Sequence, residues 1–319
     1  MGKRVAITKI LSLHLVIILC LLGYCSPAHA EERAVVNGGG LGEQLLRSQT
    51  SSTDTVAMTQ SRLPPQAPAL RIAVLLNSYK SPFIVQLRQS YVRTIGAVSP
   101  RSRLTFFYPA EKDEFPNPAD FDLIVLGGSN VDPRKNHEWI KRVHQFVLRV
   151  IRDFPDKKMC GICWGHQTIS RIFGGELVDM EYPEIGVTEV KLTADGQRFF
   201  SSGAKGRIKF LRLQQHHRRE VSKMPTGFIS LSEDNQCFMN ERGTILTLQG
   251  HPEKDAETAK LRIHDIERWF QLNIRDQTVV AEVMSRMELE DDGAVVWKRI
   301  LEWAAETQPI DGQLAARIA

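Results

Sequence analysis

Four short apolar runs separated by helix-length segments set the tightest limit on how this chain can fold. Residues 71–76 (RIAVLL), 104–108 (LTFFY), 122–126 (DLIVL) and 158–162 (KMCGI) are nearly continuous in hydrophobicity rather than alternating. Strands of that kind are buried on both faces, as they are in parallel sheets. Residues 82–95 carry Phe83, Leu87 and Tyr91 on one helical face, and residues 139–151 and 167–173 also read as helices. Strand alternating with helix predicts an α/β fold with a mostly parallel central sheet. From Val187 the texture changes. Residues 187–192, 208–213, 228–232, 237–239 and 244–249 predict a later run of additional strands, and 257–273, 278–287 and 294–303 predict helices. The folded domain is expected over residues 70–275, followed by a helical extension and tail at 276–319.

The N-terminal segment reads differently. Lys3, Arg4 and Lys9 precede an apolar stretch from Ile10 to Cys25, then Ala28-His29-Ala30. This is the pattern of a secretory signal peptide, residues 1–30, with cleavage expected after Ala30. An uncleaved anchor, the chain's one expected link to a membrane, is the next reading; the run is short for a span of about 20 apolar residues. Removing residues 1–30 takes away three positive charges and no negative ones, so the formal charge falls from +4 to +1. A balance so close to neutral gives no reason to expect a nucleic-acid partner. Residues 31–69 are rich in Gly, Ser, Thr, Gln and Pro and predict a flexible linker. Two features oppose secretion. The chain holds no Asn-x-Ser/Thr sequon, and Met58, just ahead of the folded region, offers a downstream start that would yield a cytoplasmic protein. With 42% hydrophobic and 24% charged residues, a wholly disordered chain, a collagen and a multi-span membrane protein are all excluded. Five cysteines are too few for a disulfide-built scaffold.

The segment richest in chemistry is Cys160-Gly161-Ile162-Cys163-Trp164-Gly165-His166-Gln167. Gly161-x-Cys163-x-Gly165 between strand and helix is the nucleophile-elbow pattern with cysteine in place of serine. A nucleophile on so sharp a turn needs small neighbours two residues before and after it, and a helix N-terminus behind it favours the thiolate. Cys160-x-x-Cys163 also matches a redox pair, which leaves the glycines unexplained, and a plain buried cysteine is a further reading. No second cysteine pair supports zinc, and neither a metal nor another cofactor is expected. A nucleophilic thiol needs a base and a group that orients the base. His251-Pro252-Glu253 supplies both after the apolar strand 245–248, although a surface histidine in a Pro-bearing turn is the plainer reading. Gly127-Gly128 after the third strand, with the N–H of Trp164, can donate to an oxyanion. Gly-Gly alone could also be only a tight turn.

Taken together, Leu126-Gly127-Gly128, the segment Gly161–Gln167 and His251-Pro252-Glu253 resemble the class I glutamine amidotransferases, over roughly residues 71–273. The likeness is greatest to stand-alone fungal proteins related to the glutaminase domain of GMP synthetase. It implies a flavodoxin-like three-layer fold. It also implies attack by Cys163 on the γ-carboxamide of glutamine, with His251 as base, Glu253 orienting it and a γ-glutamyl thioester as intermediate. Gln167 and His217 would contact the α-substituents of glutamine. In residues 215–221 the family's acidic position is occupied here by Arg219, with Glu220 next to it as the candidate substitute, which casts doubt on free glutamine as substrate; a solvated basic loop is the competing reading for the segment. No P-loop is present, so ammonia would pass to an acceptor enzyme, as in fungal secondary-metabolite pathways. A γ-glutamyl peptidase or hydrolase, and a non-catalytic binding protein, are the alternatives.

Overall fold

A seven-stranded sheet in the order β2-β1-β3-β4-β9-β8-β7 organises the chain. The structure, a computed structural model, describes residues 67–204, 206–261 and 277–306. The strands are β1 (Arg71–Leu75), β2 (Arg103–Phe107), β3 (Leu123–Leu126), β4 (Lys158–Ile162), β5 (Glu176–Lys191), β6 (Phe210–Lys223), β7 (Phe228–Ser230), β8 (Cys237–Asn240) and β9 (Ile245–Leu248). The helices are α1 (Ile84–Val98), α2 (Pro109–Lys112), α3 (Glu138–Asp153), α4 (Trp164–Ile172), α5 (Ala194–Ser201), α6 (Ala256–Lys260), α7 (Gln277–Met287) and α8 (Gly293–Ala305). Strands β2, β1, β3, β4 and β9 run parallel, and β8 and β7 extend the sheet antiparallel. The order 2-1-3-4 completed by β9 is the flavodoxin-like arrangement, in which ligands bind beyond the carboxyl ends of the strands.

Strand alternation divides the core between the two faces of the sheet. Ile72, Val74, Leu123, Val125 and Ile162 point toward Tyr91 and Ile95 of α1 and Trp297, Ile300 and Trp303 of α8. Ala73, Leu75, Ile124, Leu126 and Met159 point toward Val143, Phe146 and Val150 of α3 and Ile169 of α4. Both faces are therefore dry, which is why these strands read as unbroken apolar runs. Helix α8 belongs to this core. Trp303 is fully buried and its Nε1 donates to Gly243 O at 2.9 Å. Truncating such a side chain to alanine costs about 3–5 kcal/mol.

Several expectations need correction. Strands β5 and β6 form a separate antiparallel ribbon far longer than the stretches 187–192 and 208–213 suggested. Residues 176–186 carry charges and Pro183, and the register shift between Asp179 and Glu184 accommodates that proline. Residues 215–221 lie within β6 and are not a loop. Helix α4 starts at Trp164, three residues earlier than expected. Packed chain is already present at Ala67, which is buried and donates to Val98 O at 3.2 Å, whereas a linker was expected to run to residue 69. The signal segment 1–30, most of the linker, most of helix 257–273 and the tail from 307 lie outside the described residues. Among the described residues, no helix is long and apolar enough to cross a membrane.

Candidate active site

Four strand ends converge at one edge of the sheet. Register pairs Leu75 with Leu126, Leu126 with Gly161, and Ile162 with Leu248, so the residues that follow β3, β4 and β9 emerge side by side. Cys163 follows β4 with φ 51° and ψ −99°, a backbone conformation that is strained for a side-chain-bearing residue. Its neighbours show why the turn needs glycine. A Cβ on Gly161 would lie 2.8 Å from Gly165 C and O, and one on Gly165 would lie 2.1 Å from Leu126 O. Cys163 N donates to Leu248 O at 2.8 Å, which ties the elbow to the strand that leads to His251.

His251 and Glu253 sit beside the elbow, both buried. His251 Nδ1 lies 2.7 Å from Glu253 Oε1, which fixes the ring and leaves Nε2 on the side of the thiol. Nε2 makes no hydrogen bond of normal geometry, yet the ring is near enough to lower the Cys163 pKa through its charge and a poorly aligned contact. Such contacts commonly tighten only when substrate is bound. Burial alone would push the Cys163 thiol up; His251, with smaller help from His217 and Lys254, brings it down to about 7. Burial and Lys254 oppose the charged form of His251, while Glu253 and Cys163 favour it, and the net direction is upward. Glu253 is pushed up by burial and drawn down by His251 and Lys254, and the net direction is downward. Each shift has the sign expected for a thiolate–imidazolium–carboxylate series.

The two glycines after β3 behave differently. Gly127 N donates to Leu75 O at 3.0 Å, so its N–H is committed to the sheet and the oxyanion assignment does not hold for it. Gly128 lies at the site, where a Cβ would come within 3.4 Å of His251 Cε1 and 4.0 Å of Cys163 Cβ. Trp164 is the first residue of α4, and the first N–H groups of a helix have no acceptor within it. Gly128 and Trp164 thus both lie beside Cys163, and neither shares the sheet bond that occupies Gly127.

The residues expected to touch the rest of a substrate are placed differently. Gln167 is buried, and its Nε2 donates to Arg219 O at 2.9 Å and to Gln249 Oε1 at 3.0 Å. His217 is held by Arg219 O at 3.1 Å and Glu184 Oε2 at 3.0 Å. Neither lines the cleft above the thiol, whereas His216 does. Adjacent strand residues point to opposite sides, so one step along β6 exchanges the two histidines. That cleft, about 450 Å³ including its open mouth, is also lined by Ser78, Tyr91, Ser129, Lys254 and the three residues of the series. Tyr91 and Lys254 carried no signal in the sequence as cleft residues, since only the tertiary packing of α1 and the His-Pro-Glu turn brings them there. Cys160 is buried in the sheet, its thiol pushed up by burial, and both it and Cys163 are free. No group of His, Cys, Asp and Glu side chains among the described residues is arranged to hold a metal.

The pattern of the family "Glutamine amidotransferase class-I" matches residues 83–267. The chain belongs to the class I glutamine amidotransferase family. It is 32% identical to the glutamine amidotransferase-like protein chyE of Penicillium rubens, over 74% of this chain and 98% of that one. It is 23% identical to gamma-glutamyl peptidase 3 of Arabidopsis thaliana, over 59% of this chain and 76% of that one. A glutamine amidotransferase structure from Thermotoga maritima shares the fold, with a TM-score of 0.55, 19% identity, and coverage of 75% of this chain and 100% of that one.

Proposed function

We propose that this protein is an amidohydrolase that cleaves the γ-carboxamide of glutamine or of a γ-glutamyl compound through Cys163. The observation that carries the reading is the strained elbow at Cys163, placed beside a histidine whose Nδ1 lies 2.7 Å from a buried carboxylate. The Cys163 sulfur attacks the amide carbon, and its proton goes to His251 Nε2. The oxyanion is received by the N–H groups of Gly128 and Trp164. His251 returns the proton to the leaving nitrogen, and ammonia, or the amine of a γ-glutamyl conjugate, departs with cleavage of the C–N bond. Water, deprotonated by His251, then cleaves the γ-glutamyl thioester to the free acid. Glu253 keeps the imidazole in the required tautomer throughout.

A role as ammonia supplier to an acceptor enzyme of small-molecule, secondary-metabolite biosynthesis follows from the likeness to the fungal amidotransferase-like protein. Hydrolysis of γ-glutamyl conjugates is the second reading, favoured by the likeness to the gamma-glutamyl peptidase and by Arg219 at the family's acidic position. Placement in the secretory pathway rests on residues 1–30; mass spectrometry of the native N-terminus would show Glu31 if the segment is cleaved there. The full chain is offered glutamine and then γ-glutamyl dipeptides, and glutamate release is followed. Release that is lost in Cys163→Ser supports the reading. Absence of turnover, together with no labelling of Cys163 by a glutamine-mimicking electrophile, refutes it.

A further inference from the structure

The two groups offered to an oxyanion stand on different elements. Gly128 lies in the connection 127–137 between β3 and α3, and Trp164 opens α4. Their separation depends on how that connection is held to α4. Arg219 of β6 reaches both. Its carbonyl accepts from Gln167 Nε2 of α4 at 2.9 Å, and Gln167 N in turn donates to Cys163 O at 3.0 Å, one helical turn past the elbow. On the other side, Arg219 Nε lies 3.3 Å from Asp132 Oδ2 in the connection. Arg219 does not line the cleft, so it acts on the site from behind.

At its start the connection is tied to the sheet, with Gly127 N donating to Leu75 O at 3.0 Å and Asn77 Nδ2 to Gly127 O at 3.1 Å. Past Gly128 it turns on Asp132, whose Oδ1 accepts from Arg134 N at 2.8 Å and whose main-chain O accepts from Lys135 N at 3.0 Å. Asp132 is shared by two arginines, Arg134 at 2.7 Å and Arg219 at 3.3 Å. Arg134 also pairs with Asp179 of β5 at 2.9 Å, and Arg171 of α4 donates to Pro133 O. These ties are not equal. The side chains of Arg219 and Asp132 are 10% and 15% exposed, whereas those of Arg134 and Asp179 are 34% and 53% exposed. Exposed ion pairs are screened and add little, while removal of one partner from a buried pair strands the other charge. The Arg219–Asp132 pair therefore dominates this clasp.

We propose that Arg219 is a positioning residue for the amide cleavage: through Asp132 on one side and Gln167 on the other, it holds Gly128 and Trp164 at the separation an oxyanion needs. The inference rests on the amidohydrolase reading and adds to it a residue that touches no substrate. Its effect falls where the oxyanion forms, in the transition state, and not on binding of the ground state. Nor does it fall on the thiolate, because His251 is what chiefly brings the Cys163 pKa down against burial.

The test uses the full-length protein and Arg219→Met, which removes the charge, keeps the stem and leaves the carbonyl that Gln167 bonds. Glutamine and a γ-glutamyl dipeptide are the substrates, and glutamate release gives kcat and KM. Arg219→Met is expected to lower kcat by about tenfold to a hundredfold, short of the loss of about 10²–10³ that follows outright removal of one oxyanion donor, with KM little moved. Arg219→Lys is expected to recover part of the loss. Asp132→Asn keeps an Oδ1 for Arg134 N and is also expected to lower kcat; the double variant is expected to fall no further than Asp132→Asn alone, since both changes break one pair. Alkylation of Cys163 by iodoacetamide, which forms no oxyanion, is expected to be unchanged throughout. Effects of the two substitutions that multiply, an unchanged kcat in Arg219→Met, or alkylation that falls in step with kcat each overturn the proposal. Hydrogen exchange of the peptide 127–137 needs no turnover and is expected to speed up in Arg219→Met; should that variant not fold, Asp132→Asn carries both readouts. Faster exchange with no amide cleaved by any of these proteins, wild type included, sinks the amidohydrolase reading and leaves the clasp. Wild-type turnover with kcat and exchange both unmoved in the variant sinks the clasp alone.

Discussion

Replacing Glu253 by glutamine preserves the size of the side chain and deletes its charge, and this isolates what the carboxylate does for the thiol. The carboxylate sits 2.7 Å from His251 Nδ1 in a buried pair, so it stabilises the imidazolium. The imidazolium in turn is the main reason that the Cys163 pKa lies at about 7 despite burial. At pH 7 a thiol with that pKa is about half ionised, whereas an ordinary cysteine near 8.5 is about 3% ionised. Return even to that ordinary value would therefore cut the reactive fraction about fifteenfold, equivalent to about 1.6 kcal/mol, and burial, which pushes this thiol up, adds to the loss. The sign follows from the directions of the shifts. Without Glu253, the His251 proton, now held up to a raised pKa, leaves at lower pH, and the thiolate forms at higher pH. The window in which both charges coexist closes from both sides. The assay is the rate of Cys163 alkylation by iodoacetamide from pH 5 to 9, with Cys163→Ala subtracted as background. Wild type is expected to show a midpoint near 7. Glu253→Gln is expected to show a higher midpoint and a rate at pH 7 lower by about fifteenfold. Amide turnover is expected to fall further, by about 10²–10⁴, because the same base also serves the leaving nitrogen. An unchanged midpoint in Glu253→Gln refutes the coupling argued here.

Other variants test other links. Cys160→Ala is expected to keep amide turnover and Cys163→Ala to abolish it, since Cys160 is buried in the sheet; loss of turnover in Cys160→Ala would restore the redox-pair reading. Gly165→Ala drives a Cβ to 2.1 Å from Leu126 O and is expected to lower the denaturation midpoint or prevent folding, by about 3 kcal/mol or more. Gly96→Ala in α1 meets nothing within 4 Å and is expected to stabilise by about 0.5–1 kcal/mol, read by urea titration. Burial opposes ionisation of Asp132, but Arg134 and Arg219 bring its pKa down to about 2. Its ionised form therefore adds stability above the ordinary value of 3.8, and that contribution is lost as pH falls through 2. Asp132→Asn is expected to lower the Tm at pH 7, with the difference from wild type vanishing near pH 2; a constant difference across that range would count against the ion-pair account.

The parallel half of the sheet was legible because its strands are dry on both faces, and a dry strand writes an unbroken apolar run such as residues 122–126. The elbow was legible because sterics at Cys163 leave room only for glycine at 161 and 165. The β5–β6 ribbon was not. Tyr182 and Val178 are exposed on it, and a two-stranded ribbon needs no continuous apolar stripe, so a charged segment such as residues 176–184 gives no strand period. The choice between His216 and His217 was also hidden, because it depends on which face of β6 turns to the cleft, and register is a property of the pairing rather than of the residue. Gly127 and Gly128 look alike in sequence, but the main-chain hydrogen bond to Leu75 O occupies the N–H of Gly127, while Gly128 lies beside His251 and Cys163.

The His-Pro-Glu turn also depends on chain that the family pattern, residues 83–267, does not reach. His251 N donates to Gln214 O at 2.9 Å, so the position of this histidine is set by β6. Gln214 Nε2 donates to Met287 O at 2.8 Å at the end of α7. Arg212 and Asp292 bond reciprocally, Asp292 N to Arg212 O at 2.7 Å and Arg212 N to Asp292 Oδ2 at 2.7 Å. Gly293 opens α8 so close to the turn that a Cβ there would lie 3.0 Å from Pro252 O. On the other side of the turn, Ser90 of α1 donates its hydroxyl to Glu253 O at 2.5 Å. The next residue, Tyr91, packs edge-on against Trp297 of α8, with ring centroids 6.2 Å apart. The segment from 277 to 306 thus braces the histidine through β6 and the main chain of Glu253 through α1. A buried pair 2.7 Å apart tolerates little displacement, because hydrogen-bond energy falls steeply with distance and angle. The C-terminal helices therefore belong to the framework that holds His251 and Glu253 in place, although they do not line the cleft themselves.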